Sequence, residues 1–278
     1  MTRRRLSWLL LLLALAGCVK PARTVIDVPV ERGEPVAVTA KSDDETVLRA
    51  VATVLVTRLG VPLRAPVRVH VYPSLATFEI GLVKDGYVNE SVAREQAAFA
   101  TGVGTAHGIL LRGDRLEAAP LAVRVGVMAH ELTHVSQYEL AAGRRSTSDQ
   151  WLREGFAEWV KFRTIDAMGL RPYAPSRAAV ARAVHQEFRP GRFPELATLA
   201  DSREWIAARQ RHGTIATYGQ AFVAADRLLE RAGRDTGVAY FARFAVSRDR
   251  ERNFADAFGV SRADFFKEFR RHLATPAR

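Results

Sequence analysis

The chain has 278 residues, 48% hydrophobic and 26% charged, which is enough apolar surface for a real core and too much for a disordered polar chain. Its single cysteine, Cys18, excludes an intrachain disulfide and a cysteine metal cluster, so packing has to supply the stability. The formal net charge of +11 is spread over short stretches, with no dense Lys/Arg block and no basic-aromatic module, which argues against nucleic acid as a partner.

Met1–Arg5 is basic, Leu6–Ala16 is largely apolar, and Leu15-Ala16-Gly17-Cys18 closes the run. An apolar run of about eleven residues falls well short of the ~20 that a membrane-spanning helix needs, so residues 1–17 are expected to be an export signal. The small residues before Cys18 resemble the bacterial lipobox. That resemblance implies cleavage before Cys18, a diacylglycerol on its sulfur and a lipid bilayer as partner, since two or three acyl chains make a stable anchor. The expected location is therefore the cell envelope, lipid-anchored to a bacterial membrane on its periplasmic face or at the cell surface. Arg3, Arg4 and Arg5 carry three of the +11 charges, and the +8 that remains suits anionic lipid or envelope polymer. Residues 18–41 hold several prolines and mixed charge and read as a tether, with room for a short strand.

One domain is expected over 42–278, with a small α/β part at 42–120 and a helical part at 121–278. Ser42 or Asp43 can cap a helix whose apolar residues Val47, Leu48, Val51, Val54, Leu55 and Leu59 recur at helical spacing before Gly60. Pro66–Pro73 alternates apolar and basic residues between prolines, the pattern of a half-buried strand. A helix follows from Ser74 to about Val83. Residues 84–98 carry no decisive pattern. Phe99–Arg112 sets Ile109-Leu110-Leu111 among Gly102, Gly104 and Gly108, which suggests a hairpin with turns or bulges. Beyond Pro120 the periodicity predicts helices at about 121–142, 149–167, 176–188, 201–211, 214–232, 235–246, 250–258 and 261–273, with no internal repeat. The fold class is α+β, a small N-terminal sheet followed by a mostly helical domain.

The chemistry sits in Val127-Met128-Ala129-His130-Glu131-Leu132-Thr133-His134-Val135, an HExxH motif inside an apolar-periodic helix. Histidines four apart share one helix face, so both imidazoles can reach one Zn²⁺ at about 2.0–2.1 Å. Glu131 leans towards the same point without having to bind there, and can take a proton from a water and hand it to a leaving amine. A catalytic zinc site needs a third protein ligand. Downstream, Trp151-Leu152-Arg153-Glu154-Gly155-Phe156-Ala157-Glu158-Trp159 presents Glu154 and Glu158 on one helix face after the polar loop Gly143–Gln150.

HELTH followed by WLREGFAEW resembles the gluzincins, the zinc metallopeptidases that include aminopeptidase N-like enzymes and smaller bacterial MA-clan peptidase-like proteins. The resemblance covers roughly residues 66–273 and is sharp only at these two motifs. It implies a zincin-like domain with one Zn²⁺ held by His130, His134 and Glu154, Glu131 as general base and then acid, and Glu158 behind a ligand histidine or between the two helices. Nineteen residues separate His134 from Glu154, one more than in the aminopeptidases, and a longer loop absorbs the difference. The resemblance also implies a downstream Tyr or His at the developing oxyanion. Tyr218 is the candidate and His212 its rival, although a tyrosine beside glycine at a helix start also suits plain packing.

His70, His107, His185 and His272 read as structural or solvent-facing. No GxSxG, phosphate-binding loop or Cys-His pair competes with the metal motif. The expected activity is zinc-dependent hydrolysis of peptide bonds in a peptide or protein substrate. The alternatives are a non-catalytic zinc-binding envelope lipoprotein acting as a binding or assembly factor, and an amidase acting on cell-wall peptide crosslinks.

Overall fold

The computed structural model describes residues 23–64, 66–191 and 193–275. The signal expected over 1–17 and the lipidation expected at Cys18 lie outside these residues.

Four strands form one sheet in the order β1-β2-β4-β3: Thr24–Val28 (β1), Val67–Tyr72 (β2), Gly102–Thr105 (β3) and Gly108–Arg112 (β4). The β1–β2 and β3–β4 pairs are antiparallel and β2–β4 is parallel, with Val69 opposite Ile109. The short strand allowed within the tether thus exists at 24–28, so the tether expected over 18–41 contributes an edge of the sheet. Its Val28 is buried, and Arg23, Glu31 and Glu34 make ion pairs to Asp85, Arg49 and Arg58.

Every residue of β4 is buried, because both faces of the sheet are covered there. On one face Ile109 and Leu111 join the main core with helix α1 (Asp44–Thr57), which Asp43 caps by accepting from the Thr46 amide at 2.8 Å. On the other, Leu110 packs with Tyr72, Phe78 and Leu82 under α2 (Leu75–Lys84) and α3 (Glu90–Phe99). The unassigned stretch 84–98 is therefore largely helix α3, capped by Asn89. Only Ala93 and Ala97 of α3 are buried, too sparse a stripe to show as periodicity.

A one-turn helix, α4 (Gly113–Glu117), leads to the helical part. There α5 (Leu121–Leu140) packs along α6 (Gln150–Ala167), and α6 along α9 (Gln220–Ala232). Around them lie α7 (Tyr173–Glu187), α8 (Ser202–Thr214), α10 (Thr236–Arg243), α11 (Arg250–Phe258) and α12 (Arg262–Ala274). These lie within a few residues of the expected spans, with one exception. The helix expected over 214–232 is divided: Gly213 has φ +83°, residues Ile215–Gly219 make a wide π turn, and regular helix begins only at Gln220. Trp151 stacks on Phe265 of α12 at 5.9 Å, and Phe254 and Tyr240 complete an aromatic core behind α6. Among the described residues no helix is long and apolar enough to cross a membrane.

Gly155 is what lets α6 and α9 touch backbone to backbone. A Cβ built there would lie 2.2 Å from the Ala221 carbonyl oxygen, an atom that cannot swing aside. Gly155→Ala is expected to cost about 3 kcal/mol through overpacking, read as a lowered midpoint in urea unfolding of the metal-free protein. A loss below ~0.5 kcal/mol would mean that the two helices separate freely.

Candidate metal centre

α5 and α6 face one another so that His130 and His134 of the first and Glu154 of the second meet in a buried group that could hold a metal ion. His130 Nε2 and His134 Nε2 are 3.0 Å apart, and Glu154 Oε2 is 3.3 Å from the first and 3.4 Å from the second. Three ligands of a tetrahedral zinc at 2.0–2.1 Å would be about 3.3 Å from one another, so the donor set fits that ion in both chemistry and spacing. The third side chain is aimed by its neighbours. Gln150 Nε2 donates to Glu154 Oε1 at 2.6 Å, leaving Oε2 for the histidines, and Gln150 Oε1 accepts from Ser202 at 2.7 Å and Arg153 Nε at 3.1 Å.

Each histidine is held from behind. Glu158 Oε1 lies 3.0 Å from His130 Nδ1 and also pairs with Lys161, the arrangement that turns Nε2 of His130 to the metal position. Behind His134, Nδ1 lies 3.0 Å from Gln137 Oε1 and 2.9 Å from Arg145 Nη2, while Gln137 Nε2 donates to the Arg153 carbonyl at 2.9 Å and Arg145 Nε donates to Gln137 Oε1 at 3.1 Å. Asp149, just before α6, accepts from Tyr240 at 3.0 Å and from Arg262 at 2.8 Å, which ties the start of that helix to α10 and α12.

Charges in the group are strongly perturbed. Burial opposes a proton on His130, but Glu154 and Glu158 outweigh it and push His130 up to about 10. Burial, helped by the charges of Arg145 and His130, pulls His134 down against the opposing pull of Glu154. Burial would raise both carboxylates, yet the histidines hold Glu154 well below its ordinary value, and Lys161 with His130 brings Glu158 down to about 2. A metal can bind His130 only after its proton leaves. Zinc uptake at pH 8 is thus expected to release about one proton, with apparent affinity rising about tenfold per pH unit up to pH ~10. Calorimetry in buffers of different ionisation enthalpy measures this, and uptake without proton release would contradict it.

The group forms the floor of a cleft of about 680 Å³. Glu131 faces the cleft, and among the described residues no hydrogen bond or ion pair holds its carboxylate. β3, with α3 behind it, forms one wall, and α8 with the π turn forms the other. β3 runs directly over α5: a Cβ on Gly102 would lie 2.6 Å from Glu131 Cγ, and one on Gly104 would lie 2.6 Å from His134 Cβ and 2.7 Å from the Glu131 carbonyl. β3 is the last strand of the sheet, so its cleft-side edge has no strand partner.

Tyr218, in the π turn, lines the cleft, with its ring 6.2 Å from that of His130 and 5.0 Å from that of Trp205. Burial and the Glu154 charge hold its phenol well above the ordinary value, against smaller opposing effects of a Trp205 hydrogen bond and of Arg209. The rival His212 is not among the lining residues. Of the bland readings, His70 sits beside Asp85 and Tyr72, and His185 against His272, all away from the cleft, while His107 is at its rim against Tyr87. Sequence reasoning missed Gln137 and Gln150, whose only signal is spacing, three residues after His134 and four before Glu154 on the same helix faces. Comparison of the chain with protein-family models, with curated proteins and with solved structures finds no match.

Proposed function

We propose that this protein is a zinc metallopeptidase of the gluzincin type, working in the bacterial cell envelope as a lipoprotein anchored through Cys18. The observation that carries the reading is the meeting of His130 Nε2, His134 Nε2 and Glu154 Oε2 at 3.0–3.4 Å in the floor of a cleft that also receives Glu131, a carboxylate unpaired among the described residues. Zinc in this position would act as a Lewis acid, polarising a substrate carbonyl and acidifying a water. Glu131 takes the proton of the attacking water and returns it to the departing amine, which needs a carboxylate left free of other partners. The Tyr218 hydroxyl, kept protonated by burial, donates to the carbonyl oxygen as negative charge builds there. The open edge of β3 suits an extended peptide, whose backbone can add to it as a further strand.

The non-catalytic alternative leaves Glu131 unexplained, because a structural zinc site needs only the three ligands. The test is elemental analysis of the purified protein together with cleavage of a mixed peptide library. About one zinc per chain with metal-dependent cleavage is the expected result, and a chain that binds no zinc would sink the reading. Zinc without cleavage of any peptide, cell-wall crosslinks included, would favour the binding or assembly role.

A further inference from the structure

Among the described residues, the cations in and around the cleft are engaged, with one exception. Lys161 pairs with Glu158, Arg145 donates to Gln137, and Arg153 donates to the carbonyls of Arg145 and Ser148. Arg209, on α8, lines the same cleft, and among the described residues no carboxylate, carbonyl or hydroxyl accepts from it. The central carbon of its guanidinium instead lies over the Phe99 ring of α3 on the facing wall, 3.8 Å from the ring centre, with Nε buried and unpaired. Gln96 stands one helical turn before Phe99, lines the cleft too, and buries an Oε1 that receives no donor.

A cation held rigid on an aromatic face with its outer N–H groups free is preorganised for a planar anion. The stack fixes the fork without using its donors, and a half-buried setting strengthens a charge-assisted bond. The unpaired Gln96 amide oxygen on the same wall can accept an N–H, which suits a carboxylate on a chain that also carries amide groups. We propose that Arg209, held over Phe99 in the cleft that Gln96 also lines, binds a carboxylate of the peptide substrate. This rests on the reading of the cleft as a peptide site and adds a charge preference to it. The carboxylate is either the C-terminal one or an Asp/Glu side chain, the same chemistry from two places on a peptide.

The test uses the full-length zinc-loaded protein carrying Glu131→Gln, so that no probe is consumed, and measures binding of fluorescent hexapeptides by anisotropy. One pair differs as C-terminal acid against amide, the other as an internal Glu against Gln. In one pair the acid is expected to bind about tenfold or more tighter than its neutral twin, and the pair that responds identifies the source. Adding Arg209→Met should bring that ratio to about one, and Arg209→Lys should keep part of it, with zinc content equal to the parent as evidence of folding. Equal binding within both pairs, a preference that survives Arg209→Met, or no binding of any probe would overturn the proposal. Cleavage by the Glu131 protein is followed in parallel. Cleavage without a carboxylate preference removes the subsite alone, whereas a preference that Arg209→Met abolishes, without cleavage of any peptide, removes the peptidase reading alone.

Discussion

Glu131→Gln is expected to keep one zinc bound and to lower kcat by about 10³-fold. Glutamine has the same shape as glutamate, and the side chain is pinned under β3 by Gly102, so neither packing nor the histidines should move. On the proposed mechanism, what disappears is the basic oxygen that would collect the water's proton and deliver it to the amine, a loss felt in the transition state more than in substrate binding, so KM should change little. Zinc analysis and steady-state kinetics on one peptide decide the matter. Undiminished kcat would take the proton transfer away from Glu131, and loss of zinc would make it a structural residue instead.

Glu154→Ala is expected to weaken zinc binding by more than about 100-fold, the upper range for disrupting a residue that merely supports a ligand. Two further effects accompany the missing bond, and the second eases the proton's competition for His130 and so offsets part of the loss. Gln150 loses the oxygen it donates to, and His130 loses one of the two carboxylates that hold it up to about 10. The second effect gives the variant a signature. The remaining His130 sheds its proton at lower pH, so any residual zinc uptake at pH 8 should release less than the single proton of the parent. Competition with a chromogenic chelator measures the affinity, and parent-like affinity would exclude Glu154 as a ligand.

The parts of the centre that were legible in the sequence are those in which spacing alone sets geometry. HELTH puts two imidazoles on one face of any helix, and Glu154 with Glu158 repeats that logic on α6; the structure brings the histidines and Glu154 into one buried group and sets Glu158 against His130. Gln137 and Gln150 were not legible, because an amide three or four residues from a ligand is as ordinary on a solvated face as beneath a metal. The sheet shows the same limit. β2 reads from its own alternation, but β1 is a strand because it pairs with β2 some forty residues on, a non-local contact that leaves no local pattern. Tyr218 reaches the cleft through the break at Gly213 and the wide turn after it, whereas the uninterrupted helix expected over 214–232 would have given it no such position.

The bare contact of β3 on α5 also bears on how such a cleft can diversify. Where glycine backbone rests directly on Glu131 and His134 of α5, the distance from wall to floor is a property of the fold, and a side chain at Gly102 or Gly104 would have to push the strand or those residues off their seat. Selectivity then has to be written on the opposite bank and at the rim, by residues such as Ile206 and Arg209 on α8 or Tyr87 and His107 beyond the hairpin, which can change size and charge while the reacting atoms keep their spacing.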